Sequence, residues 1–176
     1  MKKIRTAALS AFAAIGVLLA AATADAQKAK QVDPKQADPK QAGRDSQTIQ
    51  DCVKSVKGAA TNAERCIGRV ADPCLKRPGA LSNADMVACV SRESSVWDDI
   101  LNETFRRLGD KLDAEQKVKL RDMQRAWIDS RDRTCAFYYD YHQGSIAVPM
   151  SALCVNRETA RRALFLLNFL NDAEGR

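Results

Sequence analysis

The chain is predicted to be all-α, a disulfide-stapled helical bundle of about four to five helices, two of them long. Two observations carry that expectation. From Ser46 onward apolar residues recur in steps of three and four, the period of a helix face. No segment alternates with period two over a useful length, and no Asn-Gly or Asp-Gly pair marks a tight hairpin.

The 176 residues, 28% of them charged, fit one compact domain and exclude both wholesale disorder and a multi-span membrane protein. Residues 1–26 read as a cleaved signal peptide. Lys2, Lys3 and Arg5 precede an uncharged run from Ala7 to Ala22, and Ala24-Asp25-Ala26 supplies the small-x-small cleavage pattern. The run is short for a membrane span of ~20 residues. With no Cys directly after the cleavage site to take an acyl chain, no stable membrane anchor is expected. The mature protein is expected to be periplasmic or secreted. Residues 27–45 carry the repeat Asp-Pro-Lys-Gln at 33–36 and 38–41, lack aromatics, and read as a disordered Lys/Gln/Pro linker. Residues 46–176 then form the helical domain.

Removing the first 26 residues lowers the formal charge from +6 to +4, and the part from Ser46 onward keeps only +2. Mixed charge of that kind is a solvated surface. A nucleic-acid footprint is clustered and one-signed, so no nucleic-acid partner is expected.

A short helix is expected from about Thr48 to Lys57, with Ser46 as its cap, and a second from Asn62 to about Arg69, broken by Asp72-Pro73. Arg77-Pro78-Gly79 marks a turn. Ser82, with Asp85 three residues on, opens a long helix whose inner stripe is Met86, Val90, Glu93, Trp97, Leu101, Phe105, Leu108 and Leu112. Glu93 is the one polar intruder in that stripe. Asp113 caps the next helix, where Leu120, Met123, Trp127, Thr134, Tyr138 and Tyr141 repeat the spacing. Ile128, Cys135 and Tyr139 lie on a second stripe about 100° away, so this helix is expected to touch two neighbours. Gly144 ends it and Pro149 opens the last helix, with Leu153, Arg157, Ala160, Leu164, Leu167 and Leu170 facing inward.

Six cysteines in an exported chain of this size read as three disulfides. Fifteen connectivities are open to them. Chain order points to the local pairs Cys52–Cys66, Cys74–Cys89 and Cys135–Cys154, each spanning a turn. A redox Cys-x-x-Cys site or a Cys-ligated zinc is disfavoured because neighbouring cysteines are at least eight positions apart. The single His, His142, has no Ser or Cys elbow beside it and reads as a surface or helix-end residue. With no Gly-rich phosphate loop and no thiolate left free, neither catalysis, a metal nor a cofactor is expected.

The segment Gln124-Arg125-Ala126-Trp127-Ile128-Asp129-Ser130-Arg131-Asp132, followed by Cys135, stands out. With Leu120-Arg121 before it, and Cys154, Thr159 and Arg162 after it, it resembles the lysozyme inhibitor LprI-like family over about residues 85–170. The resemblance implies an exported, disulfide-bonded helical domain, a protein partner, and a muramidase as the candidate partner. Cys52 and Cys66 look like an added pair.

Within the motif, Trp127 shares the main stripe and is expected in the core. Arg131 at its edge is expected to pair with Glu93 or Asp99, and Arg125, Asp129 and Asp132 to form the outer face. Binding residues are then expected on loops: Lys76 and Arg77 between Cys74 and Cys89 first, and the loop that begins at His142 second. The alternative reading is a periplasmic structural or interaction protein without lysozyme inhibition.

Overall fold

A computed structural model describes residues 38–56, 63–79 and 81–175. The signal peptide expected over 1–26 and residues 57–62, between the first two expected helices, lie outside these residues. Helix α1 spans Pro39–Ser55, α2 Ala71–Leu75, α3 Asn83–Lys111, α4 Ala114–Tyr141 and α5 Ala147–Ala173, with one 3-10 turn at Glu64–Cys66. The described residues contain no strand.

Helix α1 begins well before Thr48, inside the stretch expected to be a linker. Asp38 caps it by accepting from the Lys40 backbone N–H at 3.0 Å, and Pro39 supplies a helical φ at the first position. The helix is retained through two buried residues. Ile49 is fully enclosed, and Asp45 receives Arg92 of α3 through two bonds of 2.7 and 2.9 Å. That contact holds the Arg92 guanidinium pKa above its ordinary value. Asp45→Ala is expected to cost about 1–2 kcal/mol, because it strips a bidentate partner from a half-buried guanidinium. Urea unfolding with an unchanged m-value checks it.

The second expected helix is instead the 3-10 turn followed by α2. Pro73, expected to break a helix over 62–69, lies in the first turn of α2 instead, where the missing N–H of a proline is tolerated.

The two long helices start where local chemistry says they should. Ser82 and Asp85 form a reciprocal capping box, as do Asp113 and Gln116. The side-chain and backbone bonds from Ser82 hold the Asp85 carboxyl below the usual carboxylate range. Helices α3 and α5 run side by side in the same direction, with Glu93 meeting Asn156 near one end and Arg107 meeting Glu174 near the other. Ala160 and Ala163, both fully buried, let the two helices approach closely, and Trp97, Leu101, Leu166 and Leu170 fill the seam. The inner face of α5 is therefore centred on Asn156, Ala160, Ala163, Leu166 and Leu170. Arg157, expected inside, is exposed.

Helix α4 departs most from expectation. It packs along α5 in the opposite direction, fixed at Gln124–Arg162 and at Cys135–Cys154, and among the described residues nothing encloses it from a second side. Only Leu120 and Cys135 are buried on it. Met123, Thr134, Tyr138 and Tyr141 of the main stripe are exposed, as are Ile128 and Tyr139 of the second. Among the described residues no second element covers it.

Disulfides link Cys52 to Cys66, Cys74 to Cys89 and Cys135 to Cys154. Each closes a loop of 14 to 19 residues and so contributes about 3 kcal/mol by restricting the unfolded chain.

Candidate functional site

The Cys74–Cys89 disulfide braces a loop whose described tip, Lys76-Arg77-Pro78-Gly79, is exposed throughout. Gly79 turns the chain at φ +106°, a conformation that side chains with a Cβ rarely adopt. Arg77 folds back onto the brace. Its Nε donates to the Cys74 carbonyl at 3.1 Å, and its Nη2 lies 3.4 and 3.6 Å from the two sulfurs. Lys76, at the C-cap of α2, is the cation left facing solvent.

Below the loop lies the side chain with the most hydrogen bonds among the described residues. Glu93 is fully buried, and its carboxylate accepts five hydrogen bonds. Oε2 takes the Val70 and Ala71 N–H groups at 2.9 Å. Oε1 takes the Gly68 N–H at 2.6 Å, Trp97 Nε1 at 3.1 Å and Asn156 Nδ2 at 3.2 Å. A carboxylate offers about four lone-pair directions, so Glu93 is saturated. It caps the free N–H groups that lead into α2 and ties that segment to α3 and α5 together. Gly68, at φ +94°, places its N–H toward Glu93 in a backbone shape that a Cβ would crowd against Asp72.

The family-like motif forms a second cluster. Trp127 is half-buried rather than core, with Arg131 at 5.0 Å and Arg162 at 5.5 Å from its ring centre. Arg162, from the downstream Thr-x-x-Arg, donates to Gln124 Oε1 at 2.8 Å and also lies 5.1 Å from the Phe165 ring. Burial pushes its pKa below the ordinary arginine value. Arg131 pairs with its neighbour Asp132 at 2.8 Å, not with Glu93 or Asp99. The reason is topological: α5 stands between α4 and the face of α3 that carries Glu93. Arg125 and Asp129 lie outside, as expected, paired along the helix with Asp122 and Arg133. A groove of about 330 Å³ is lined by Trp127 of α4 and by Phe165 and the Glu158–Arg161 ion pair of α5.

His142 is half-exposed at the end of α4, edge-on to Tyr141 at 5.2 Å. Among the described residues no hydrogen bond or ion pair joins it to Lys76 or Arg77. No described group of His, Cys, Asp and Glu is arranged to hold a metal ion, and no described helix is long and apolar enough to cross a membrane. Sequence reasoning flagged Glu93 as a lone polar residue on an apolar stripe but did not find its donors. Phe165 and Glu158 carried no signal.

Fold and clusters together define a small disulfide-stapled all-α domain with a braced cationic loop. The family model described as "Lysozyme inhibitor LprI" matches residues 74–166, and the chain belongs to that family. The match opens at Cys74, so it takes in the Cys74–Cys89 and Cys135–Cys154 bridges and leaves out Cys52–Cys66. No curated protein and no solved structure matches the chain.

Proposed function

We propose that the protein is an exported cell-envelope inhibitor that binds a muramidase and blocks its cleft with the Cys74–Cys89 loop. The observation that carries this reading is an exposed cationic turn, braced by a disulfide, at the edge of the family match. A muramidase cleaves between two carboxyl groups in a cleft, so a blocking element must be narrow, cationic and stiff enough to enter without losing much entropy. Arg77 stiffens the turn against the brace, the Glu93 cap fixes its base, and Lys76 is the charge that meets the acidic pair.

Inhibition of muramidase by the purified protein tests the reading. Lys76→Ala with Arg77→Ala is expected to weaken inhibition at least tenfold while unfolding free energy falls by no more than about 1.5 kcal/mol, the loss of the Arg77–Cys74 bond. A wild-type protein that does not inhibit overturns the reading. Unaltered inhibition by the double variant moves the contact to another surface.

A further inference from the structure

We propose that the solvent-facing side of α4 is a self-association surface, along which a second copy of this chain packs antiparallel. The proposal stands independently of muramidase binding. A 28-residue helix with two buried side chains is an unusual way to use apolar residues. Met123, Phe137 and Tyr141 are 36%, 64% and 71% exposed on one side of it. Met123, Ser130 and Phe137 recur every seven residues, with Ala126 between the first two, which is the spacing of a helix–helix seam. Small residues at the middle of that seam, Ala126 and Ser130, allow two helices to approach closely there.

The charge pattern selects the direction. Residues 114–127 carry a formal +2 and residues 128–141 a formal −1. An antiparallel pair with its two-fold axis near Ser130 sets the positive half of each copy against the negative half of the other, whereas a parallel pair sets like against like. In that register Phe137 falls over the partner's Ala126 and the partner's Met123, and Asp140 lies within a turn of the partner's Lys119. Because the surface is self-complementary, the pair closes and does not propagate.

The size of the face sets the strength. In that register residues 119–141 overlap, about 35 Å of helix, and a strip about 11 Å wide covers about 380 Å² on each copy. The total, about 760 Å², is below the size of a standard specific interface, and the association is reversible and weak rather than obligate.

Sedimentation velocity of the full mature chain over a wide concentration range tests this. The wild type is expected to move from monomer to dimer. Ser130→Arg, which brings two added cations together at the two-fold axis, is expected to weaken dimerisation at least tenfold with an unchanged melting temperature. Asp140→Lys and Lys119→Asp are each expected to weaken it, and the double exchange to recover it. A wild type that stays monomeric at every concentration overturns the proposal, whether or not it co-sediments with phospholipid vesicles. Co-sedimentation would assign the aromatic face to a lipid surface. Dimerisation that Ser130→Arg leaves unchanged also overturns it, and failure of the double exchange to recover excludes the antiparallel register.

Discussion

Glu93→Gln is expected to lower the unfolding free energy by about 3 kcal/mol, and Glu93→Ala by more than about 4 kcal/mol. The amide is nearly isosteric with the carboxylate, so the loss measures hydrogen bonding rather than volume. Five donors converge on the two oxygens, three on Oε1 and two on Oε2. Either orientation of a glutamine amide turns its NH2 toward at least two of those donors, and buried donors without acceptors cost about 1–3 kcal/mol each, partly relieved by relaxation. Alanine strands all five. The effect is read by urea denaturation at constant m-value, and by faster amide exchange at Gly68, Val70 and Ala71. Because those three amides form the base of the Cys74–Cys89 loop, loosening them also unfixes Lys76. Glu93→Gln is therefore expected to lose inhibition before it loses the global fold. A Glu93→Gln protein as stable as the wild type would mean that the bundle holds α2 without the carboxylate.

What was legible in the sequence was local. The capping boxes at Ser82 and Asp113 need only four consecutive residues, and both form as expected. The α3 stripe was legible too, with Val90, Glu93, Trp97, Leu101 and Leu108 all buried. The error on α4 has a definite cause. Periodicity says which side chains share a face, but it does not say whether another element covers that face. Helix α4 has an apolar stripe as regular as that of α3, yet α5 covers only the line through Leu120, Trp127 and Cys135. The early start of α1 was hidden differently. Its low apolar content suggested a linker, whereas its order comes from one ion pair with Arg92, 47 residues away, and one buried Ile. The candidate site was legible in its frame and not in its wiring. Gln124, Trp127 and Arg131 fall on one helical line by spacing, but Arg162, which joins them, comes from α5. The donors to Glu93 are mainly backbone N–H groups 22 to 25 residues earlier, and backbone groups leave no mark in a sequence.

Trp97→Ala is expected to cost about 3–5 kcal/mol, and Trp127→Ala only about 1–2 kcal/mol, the reverse of what the motif suggests. Trp97 is fully enclosed between α3 and α5 and donates its indole N–H to Glu93. Its removal opens a cavity among Leu101, Leu166 and neighbours that cannot collapse, since Ala160 and Ala163 already hold the helices at close range. It also takes one donor from a buried carboxylate. Trp127 sits at the edge of the core on a helix that, among the described residues, packs along α5 alone, so water and the Arg131 and Arg162 side chains can fill much of its place. In melting temperature the first change is expected to exceed 10 °C and the second to stay within a few degrees. Trp127→Ala then becomes a clean functional probe. If it folds and still inhibits muramidase, the cluster around its ring serves to orient α4, and the inhibitory contact lies on the braced loop. If it folds and no longer inhibits, the groove beside Trp127 and Phe165 is the contact, and Lys76 is not.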